Sequence, residues 1–364
     1  MDERVATALG EAFPGRPVDE TFGVGPSWNG ANETVGVAFA DGERAFCKVA
    51  VDGDGTRIAR ELAVLRYLDA ERSVSGPRVL AGDADASVPH LVTAPAPGRE
   101  LLGVWEEAGE AKEAGEAEEA GEAEEAEEAE EAGEAEEAEE AEEAGEKRRE
   151  ALLRRVGATL ATVHAERFEA HGEVVGGDAR GGLDLNRAPW PDVLRATVER
   201  TREIGTSERL ADHYDAVFDC VEANRGRLSG APAALLHGDV ARPNLFVVDG
   251  EPAVGTAPAG IVPIDWELAH VGDPARDLVR AEDQLLNGFD SRGPERYAEA
   301  LYDGYRDRAG GLPPGFAERR PVYEVVRMLG RSGFIDQWVT HLEEPLESLV
   351  ERADAELRAR LDAA

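Results

Sequence analysis

The chain has 364 residues, enough for two packed units around sizeable cores. Its 76 acidic residues outnumber 39 basic ones, and the resulting net charge of −37 excludes long-range attraction to nucleic acid or an anionic membrane. No apolar run approaches the roughly 20 residues that span a bilayer, and the two isolated cysteines, Cys47 and Cys220, make neither a disulfide framework nor a zinc site.

The opening Met1-Asp2-Glu3-Arg4 lacks the basic-then-apolar pattern of a signal peptide, so a cytoplasmic protein is expected. Residues 2–13 carry Val5, Leu9 and Phe13 at four-residue spacing and predict a short amphipathic helix. Residues 22–30 are rich in Gly, Pro and Asn and read as turn. Two strands are predicted next, 33–40 and 44–51, joined at a tight Asp41-Gly42 turn. Residues 56–72 read as a helix through Ile58, Leu62, Leu65 and Leu68. Two short strands, 78–81 and 90–94, precede the Pro95, Pro97 and Gly98 punctuation. This order describes a small sheet-rich lobe, residues 1–96.

Residues 106–146 are low complexity, with 22 Glu and one Lys. Removing them leaves 54 acidic and 38 basic residues, a net of −16, so the remainder is acidic too. Only Lys48, Lys112 and Lys147 are lysines. Acid excess with scarce lysine fits a chain that works at high salt, although a genome rich in G and C would give the same arginine bias. Alanine recurs every third residue, which drifts about 60° per step around a helix, so no fixed apolar stripe or coiled-coil seam forms. A solvated insertion is expected, helical in high salt and frayed otherwise; an acidic interaction arm is the alternative. Helices are then predicted over 147–166, 192–203 and 208–228, and short strands at 235–236, 245–248 and 260–264. From 273 the chain reads as helical with one break at 310–314. The second lobe, residues 97–105 and 147–364, is thus mostly helical.

The chemistry-bearing segments are His237-Gly238-Asp239-Val240-Ala241-Arg242-Pro243-Asn244 and Ile264-Asp265-Trp266-Glu267. Phosphoryl transfer needs a carboxylate facing the attacking hydroxyl and separate oxygen ligands for magnesium. Asp239, Asn244 five residues on, and a strand-borne Asp265 supply those parts. Lys48, on the second hairpin strand, could hold phosphates, with Glu61 of the next helix as its ion-pair partner. The plain alternative is a surface lysine and a solvated glutamate. No Gly-x-Ser-x-Gly elbow supports nucleophilic hydrolysis.

This constellation resembles the aminoglycoside phosphotransferase and choline kinase family, relatives of the protein kinases, over nearly the whole chain apart from 106–146. The resemblance implies an α+β, two-lobed protein-kinase-like fold, with ATP and magnesium between the lobes. It implies Asp239 as catalytic base and Asn244 and Asp265 as metal ligands. It places a phosphate-covering loop at 25–34, with Gly25, Gly30 and Asn32 admitting backbone N–H groups. It also places an adenine hinge at 92–96, with Val92 and Ala94 as nucleotide contacts. His237 and His164 are expected to be structural. Asp277 is expected to hold the catalytic loop, and Asp273 fits a helix N-cap. Trp190 reads as core, or else as a stacking surface for substrate.

The tip of the hairpin between Asn244 and Asp265, residues 249–260, is longer than the family's usual turn and reads as a surface loop. The implied activity moves the γ-phosphate of ATP to a hydroxyl of an aminoglycoside, amino alcohol or sugar-like acceptor. The rival is a catalytically silent kinase-like binding protein.

Overall fold

The computed structural model describes residues 2–26, 30–71, 74–110, 127–178, 180–205, 207–248, 260–288, 290–339 and 345–364. The chain opens with helix α1 (Glu3–Ala12), capped by Asp2, whose carboxylate accepts the Arg4 amide at 2.8 Å. Strands β1 (Val18–Pro26), β2 (Asn32–Phe39) and β3 (Arg44–Ala50) follow. Next come helix α2 (Thr56–Glu71) and strands β4 (Val79–Asp83) and β5 (His90–Thr93). The five strands form one antiparallel sheet in the order β1-β2-β3-β5-β4. Val5, Ala8 and Leu9 of α1 cover one face with Val37, Cys47, Val49 and Val92. The other face meets α2.

Strand β1 corrects the sequence reading, which made residues 22–30 a turn. Gly23 and Gly25 do not end the strand. Instead, a register shift between them, with Gly25 at φ +101°, lets β1 continue to Pro26. Phe22 lies where a side chain on Gly36 would stand, and its ring meets Phe46 edge-on, so aromatic packing holds the strand in place.

The large lobe begins with β6 (Arg99–Glu100), α3 (Leu101–Glu110) and the long α4 (Glu127–Val163). A hairpin of β7 (Gly172–Gly177) and β8 (Leu183–Arg187) follows, then α5 (Trp190–Ile204), α6 (His213–Ala223) and α7 (Arg225–Ser229). Strands β9 (Ala234–Leu236), β10 (Leu245–Val247), β11 (Ile261–Pro263) and β12 (His270–Gly272) frame the central loops. Five helices close the chain: α8 (Pro274–Leu286), α9 (Glu295–Ala309), α10 (Phe316–Ser332), α11 (Ile335–Trp338) and α12 (Leu346–Ala363). The strands form two small sheets, β11-β10-β6 and β8-β7-β12-β9.

Several boundaries differ from the sequence reading. The predicted helix 208–228 is two helices, parted at Asn224, whose side-chain amide donates to the Cys220 carbonyl at 3.0 Å. The C-terminal run breaks between α8 and α9, at Gly333–Phe334 and before α12, as well as at 310–314. The β7–β8 hairpin carried no prediction; Gly172, Gly176 and Gly177 dilute its alternation. Among the described residues no helix is long and apolar enough to cross a membrane.

The acidic insertion is narrower than 106–146. Helix α4 does not start at 147 but continues back into the repeat. Ala108 is buried, Arg149 donates to the Trp105 carbonyl at 3.2 Å, and Gly145 sits where an added Cβ would strike the Ala108 carbonyl oxygen. The hairpin's packed base therefore takes in both ends of the low-complexity stretch. Residues 111–126 lie outside the described residues.

A close helix crossing sets the depth of the large lobe. At α4–α9, Gly157 and Gly304 face each other's backbones. A Cβ on Gly304 would overlap the Arg154 carbonyl, and one on Gly157 the Leu301 carbonyl. Gly304→Ala should therefore lower stability by about 1–3 kcal/mol, read from urea unfolding; an unchanged midpoint would show that the crossing is not tight. Replacing 111–139 by a short Gly/Ser linker should leave the melting temperature in molar KCl within a few degrees. Excising all of 106–146 should lower it, because Ala108 and Gly145 leave with the repeat. Equal melting temperatures for the two deletions would contradict this placement of the boundary.

Candidate active site

The site starts from a bend that only glycine tolerates. After β9, Gly238 turns at φ +81°, where an added Cβ would run into the Leu268 carbonyl. The amides exposed by the turn are collected by Asp277 of α8, which accepts from His237 N at 2.8 Å and Gly238 N at 3.0 Å. Beneath it, His164 at the end of α4 lies 3.3 Å from Asp277 and 3.2 Å from the Tyr305 hydroxyl. Burial works against the Asp277 charge, but the His164 hydrogen bond and the loop amides outweigh it and hold this carboxyl well below the usual range.

His237 joins the two chemical segments. Its Nδ1 accepts the Asp239 amide at 3.2 Å, so its Nε2 is the protonated nitrogen and donates to the Ile264 carbonyl at 2.9 Å. Burial depresses its pKa and keeps the ring neutral, packed at a tilt of 48° against Trp266 with ring centroids 4.4 Å apart. The long hairpin tip does not displace Asp265: β10 and β11 pair in register, Leu245 with Pro263, and Ile264 N donates to Asn244 O at 2.9 Å. The tip itself, 249–259, lies outside the described residues.

Asp239 projects from this loop. Its Oδ2 accepts from Asn244 Nδ2 at 3.1 Å, and its Oδ1 accepts from Arg280 at 2.8 Å and Gln284 at 2.6 Å. Burial disfavours the charge, yet the Arg280 guanidinium and these donors hold the carboxyl below its ordinary value. Asp265 is the one non-glycine residue with positive φ among the described residues, at φ +64° and ψ +63°. Such a conformation costs on the order of 1 kcal/mol and here re-aims the side chain toward Lys48.

Lys48 of β3 donates to Glu61 at 2.6 Å, to Asp265 at 2.6 Å and, more distantly, to Glu267 at 3.4 Å. Burial opposes the ammonium's charge, but the three carboxylates outweigh it and raise the lysine pKa well above its usual value. Burial pushes Glu61 and Asp265 upward. Glu267 goes the other way, because Lys48 and Arg57 overcome its burial.

Glu267 was missed by the sequence reading, as were Arg280 and Gln284. Glu267 accepts from Asn32 at 2.7 Å and Arg57 at 2.6 Å, and its backbone carbonyl accepts from Arg60 at 2.9 Å. Its one sequence signal was the two-residue offset from Asp265.

The structure thus brings Lys48, Glu61, Asp239, Asn244 and Asp265 to one junction between the lobes. Three of the expected nucleotide contacts need correction. Val92 is fully buried, because strand alternation turns it into the α1-side core; the face bearing Lys48 carries Leu91 and Thr93 instead. Ala94, just past β5, spends its amide on the Arg78 carbonyl at 2.8 Å. Asn32 is also buried, with its side chain tied to Glu267 rather than open to a ligand. Gly30 is exposed at φ +69°, while residues 27–29 of the expected phosphate loop lie outside the described residues. Trp190 is core, donating to the Tyr323 hydroxyl at 2.8 Å.

The donor set suits a hard divalent ion. Glu61, Asp265 and Glu267 each offer an oxygen within 4.8 Å of one another. Asn244 Oδ1 and Asp265 Oδ2 carry no hydrogen-bond partner among the described residues. Oxygen-only ligands with room for water and phosphate are what magnesium takes.

The profile of the APH phosphotransferase enzyme family matches residues 27–322. No curated protein sequence matches the chain significantly. Among solved structures, macrolide 2'-phosphotransferase MphH from Brachybacterium faecium is 18% identical, covering 98% of each chain, with a TM-score of 0.52. Choline kinase LicA from Streptococcus pneumoniae is 12% identical over 99% of this chain and 98% of its own, with a TM-score of 0.56. A thermostable mutant of aminoglycoside phosphotransferase APH(4)-Ia, in ternary complex with ADP and hygromycin B, is 14% identical over 98% of each chain, with a TM-score of 0.56. At these identities the likeness shows the fold, which is protein-kinase-like with an antiparallel small lobe and a helical large lobe.

The ion cluster makes a stability prediction. Lys48→Met leaves three carboxylates without their shared ammonium and should cost about 3–5 kcal/mol in urea unfolding at pH 7.5 with EDTA present. Without the ammonium, the folded-state carboxyl pKa values rise above the unfolded ones. The folded form then holds more protons, so the deficit should shrink as pH falls toward 5. An equal deficit at both pH values would show that the carboxylates do not repel one another there.

Proposed function

The chain belongs to the phosphotransferase enzyme family, and we propose that it transfers the γ-phosphate of ATP to a hydroxyl of a small polar molecule, with Asp239 as the base. Enzymes of this family are small-molecule kinases that use ATP and magnesium. Magnesium, when bound, neutralises charge that builds on the transferring phosphoryl group. Asn244 and Asp265 would hold it, each with a free side-chain oxygen. Lys48, fixed by Glu61, would meet the nucleotide phosphates from the small lobe, residues 1–96. The acceptor would enter from the large-lobe side, residues 97–105 and 147–364, where Asp239 projects.

One observation carries this reading. Asp239 and Asp265 face a shared junction from two segments that His237 ties together, one carboxylate held by Asn244, Arg280 and Gln284 and the other aimed at Lys48. Asp239 has its hydrogen-bond donors set before any substrate arrives, which favours a single orientation of the attacking hydroxyl. Its low basicity suits a loose transition state, in which the proton leaves late. The partially exposed Asp265 can reach a metal while Lys48 still holds its other oxygen.

For the acceptor we propose an aminoglycoside, amino alcohol or sugar-like alcohol, in line with the choline kinase and the hygromycin-bound phosphotransferase among its structural neighbours. A screen of hydroxylated metabolites and aminoglycosides for ADP release in molar KCl tests it. At least one acceptor should stimulate release, and Asp239→Ala should lower that kcat by about 10²–10⁴-fold. Stimulated release that persists undiminished in Asp239→Ala would remove the mechanism. No stimulation by any acceptor would instead favour a silent binding protein.

A further inference from the structure

We infer that Arg280 and Gln284 are positioning residues that select which oxygen of Asp239 meets the acceptor; the inference rests on the reading of Asp239 as base. Asp277, Arg280 and Gln284 are spaced three and four residues apart and so share one face of α8. That face addresses the catalytic loop and, through Asp277, His164 at the end of α4. Asp277 takes the loop's backbone amides, while Arg280 and Gln284 both donate to a single carboxylate oxygen, Asp239 Oδ1, at 2.8 and 2.6 Å. The two donors are locked together, because Arg280 Nε donates to Gln284 Oε1 at 3.1 Å. The amide of Gln284 thereby has its orientation fixed by Arg280 and its donor aimed at Asp239.

Oδ1 is thus taken by two strong donors, one of them charged. Oδ2 receives one longer bond, 3.1 Å, from Asn244. The oxygen with spare capacity is Oδ2, on the Asn244 side and so toward the expected magnesium and γ-phosphate. In the transfer, the acceptor oxygen forms its bond to the γ-phosphorus and the bond from phosphorus to the β–γ bridging oxygen breaks. ADP departs, and the acceptor proton goes to Oδ2. If the carboxylate turned about its Cβ–Cγ bond it would still be a base, but its hydroxyl partner would no longer be in line with the phosphate. The clamp acts on that angle. It therefore acts on turnover and leaves nucleotide affinity alone, since neither side chain faces Lys48 or Asp265.

Steady-state kinetics test the inference, using ADP release with the best acceptor of the screen and with water alone. Arg280→Met and Gln284→Leu should each lower kcat at least tenfold. The KM for ATP should stay within twofold of wild type. Arg280→Lys, which keeps one charged donor, should recover most of the loss. Gln284 is only partly buried, so its substitution keeps the test open if Arg280→Met fails to fold. Wild-type kcat in Gln284→Leu and any folded Arg280→Met, or a loss confined to the KM for ATP, would overturn the clamp. Asp239→Asn separates the two claims: wild-type turnover in that variant defeats the base assignment itself, whereas an inactive Asp239→Asn beside a fully active Gln284→Leu defeats only the clamp.

Discussion

One ammonium holds this molecule's two lobes in register. Lys48 leaves the small-lobe sheet and finds Glu61 on α2 together with Asp265 and Glu267 on the large-lobe side. Arg57 adds a second cation against Glu267. Three carboxylates thus share two cations in a buried place, a local deficit of one positive charge. Buried ion groups of this kind give little net stability, because desolvation offsets attraction. What they give is placement: each carboxylate has few low-energy positions while its partner is fixed. A polyphosphate entering alone would meet a net negative wall. Entering with a divalent ion, it brings the charge that the wall lacks. The requirement for metal follows from this charge count as much as from the chemistry of phosphoryl transfer.

The same logic extends down the large lobe through α8. This helix is heavily charged yet largely buried, and each charged face has its own partners. Asp273 caps the first turn and takes Arg319 and Tyr323. Asp283 takes Arg327 and Arg331 from α10. Asp277, Arg280 and Gln284 look toward the catalytic loop. Helix α8 is therefore a rigid strut between the helical core and the reacting carboxylate. Its registry is set by these ion pairs together with the fit of Leu278, Val279 and Leu285 in the core.

Much of this was legible in the sequence. Lys48, Glu61, Asp239, Asn244 and Asp265 stand at fixed offsets from strand and turn signals, and the structure brings them to one place. The period-two alternation of β2 and β3, the Asp41-Gly42 turn and the stripe of α2 are local signals that tertiary packing reinforced. What escaped had non-local causes. Strand β1 looked like a turn because Gly23 and Gly25 carry a bulge and Phe22 packs over Gly36 of β2, which only the partner strand reveals. Glu267, Arg280 and Gln284 look like ordinary helix and turn polar residues until the loop they serve folds against them. Val92 was misplaced by one step of strand alternation, an error that moves a side chain to the opposite face.

The acidic arm raises a different question: how a chain that must bind a polyanion carries such an excess of acid beside its site. The root of the arm is not remote. Trp105 of α3 stacks on Arg242, which lies between Asp239 and Asn244 in the catalytic loop, at 4.5 Å from the ring centre to the guanidinium. Arg149 of α4 flanks the same ring at 5.1 Å. The helices that lead into the repeat are therefore anchored through aromatic and cationic contacts to the loop that would do the chemistry. At molar salt the screening length is roughly 3 Å, so charge on the repeat acts only on its immediate neighbours, whereas at 0.1 M it acts over about 10 Å.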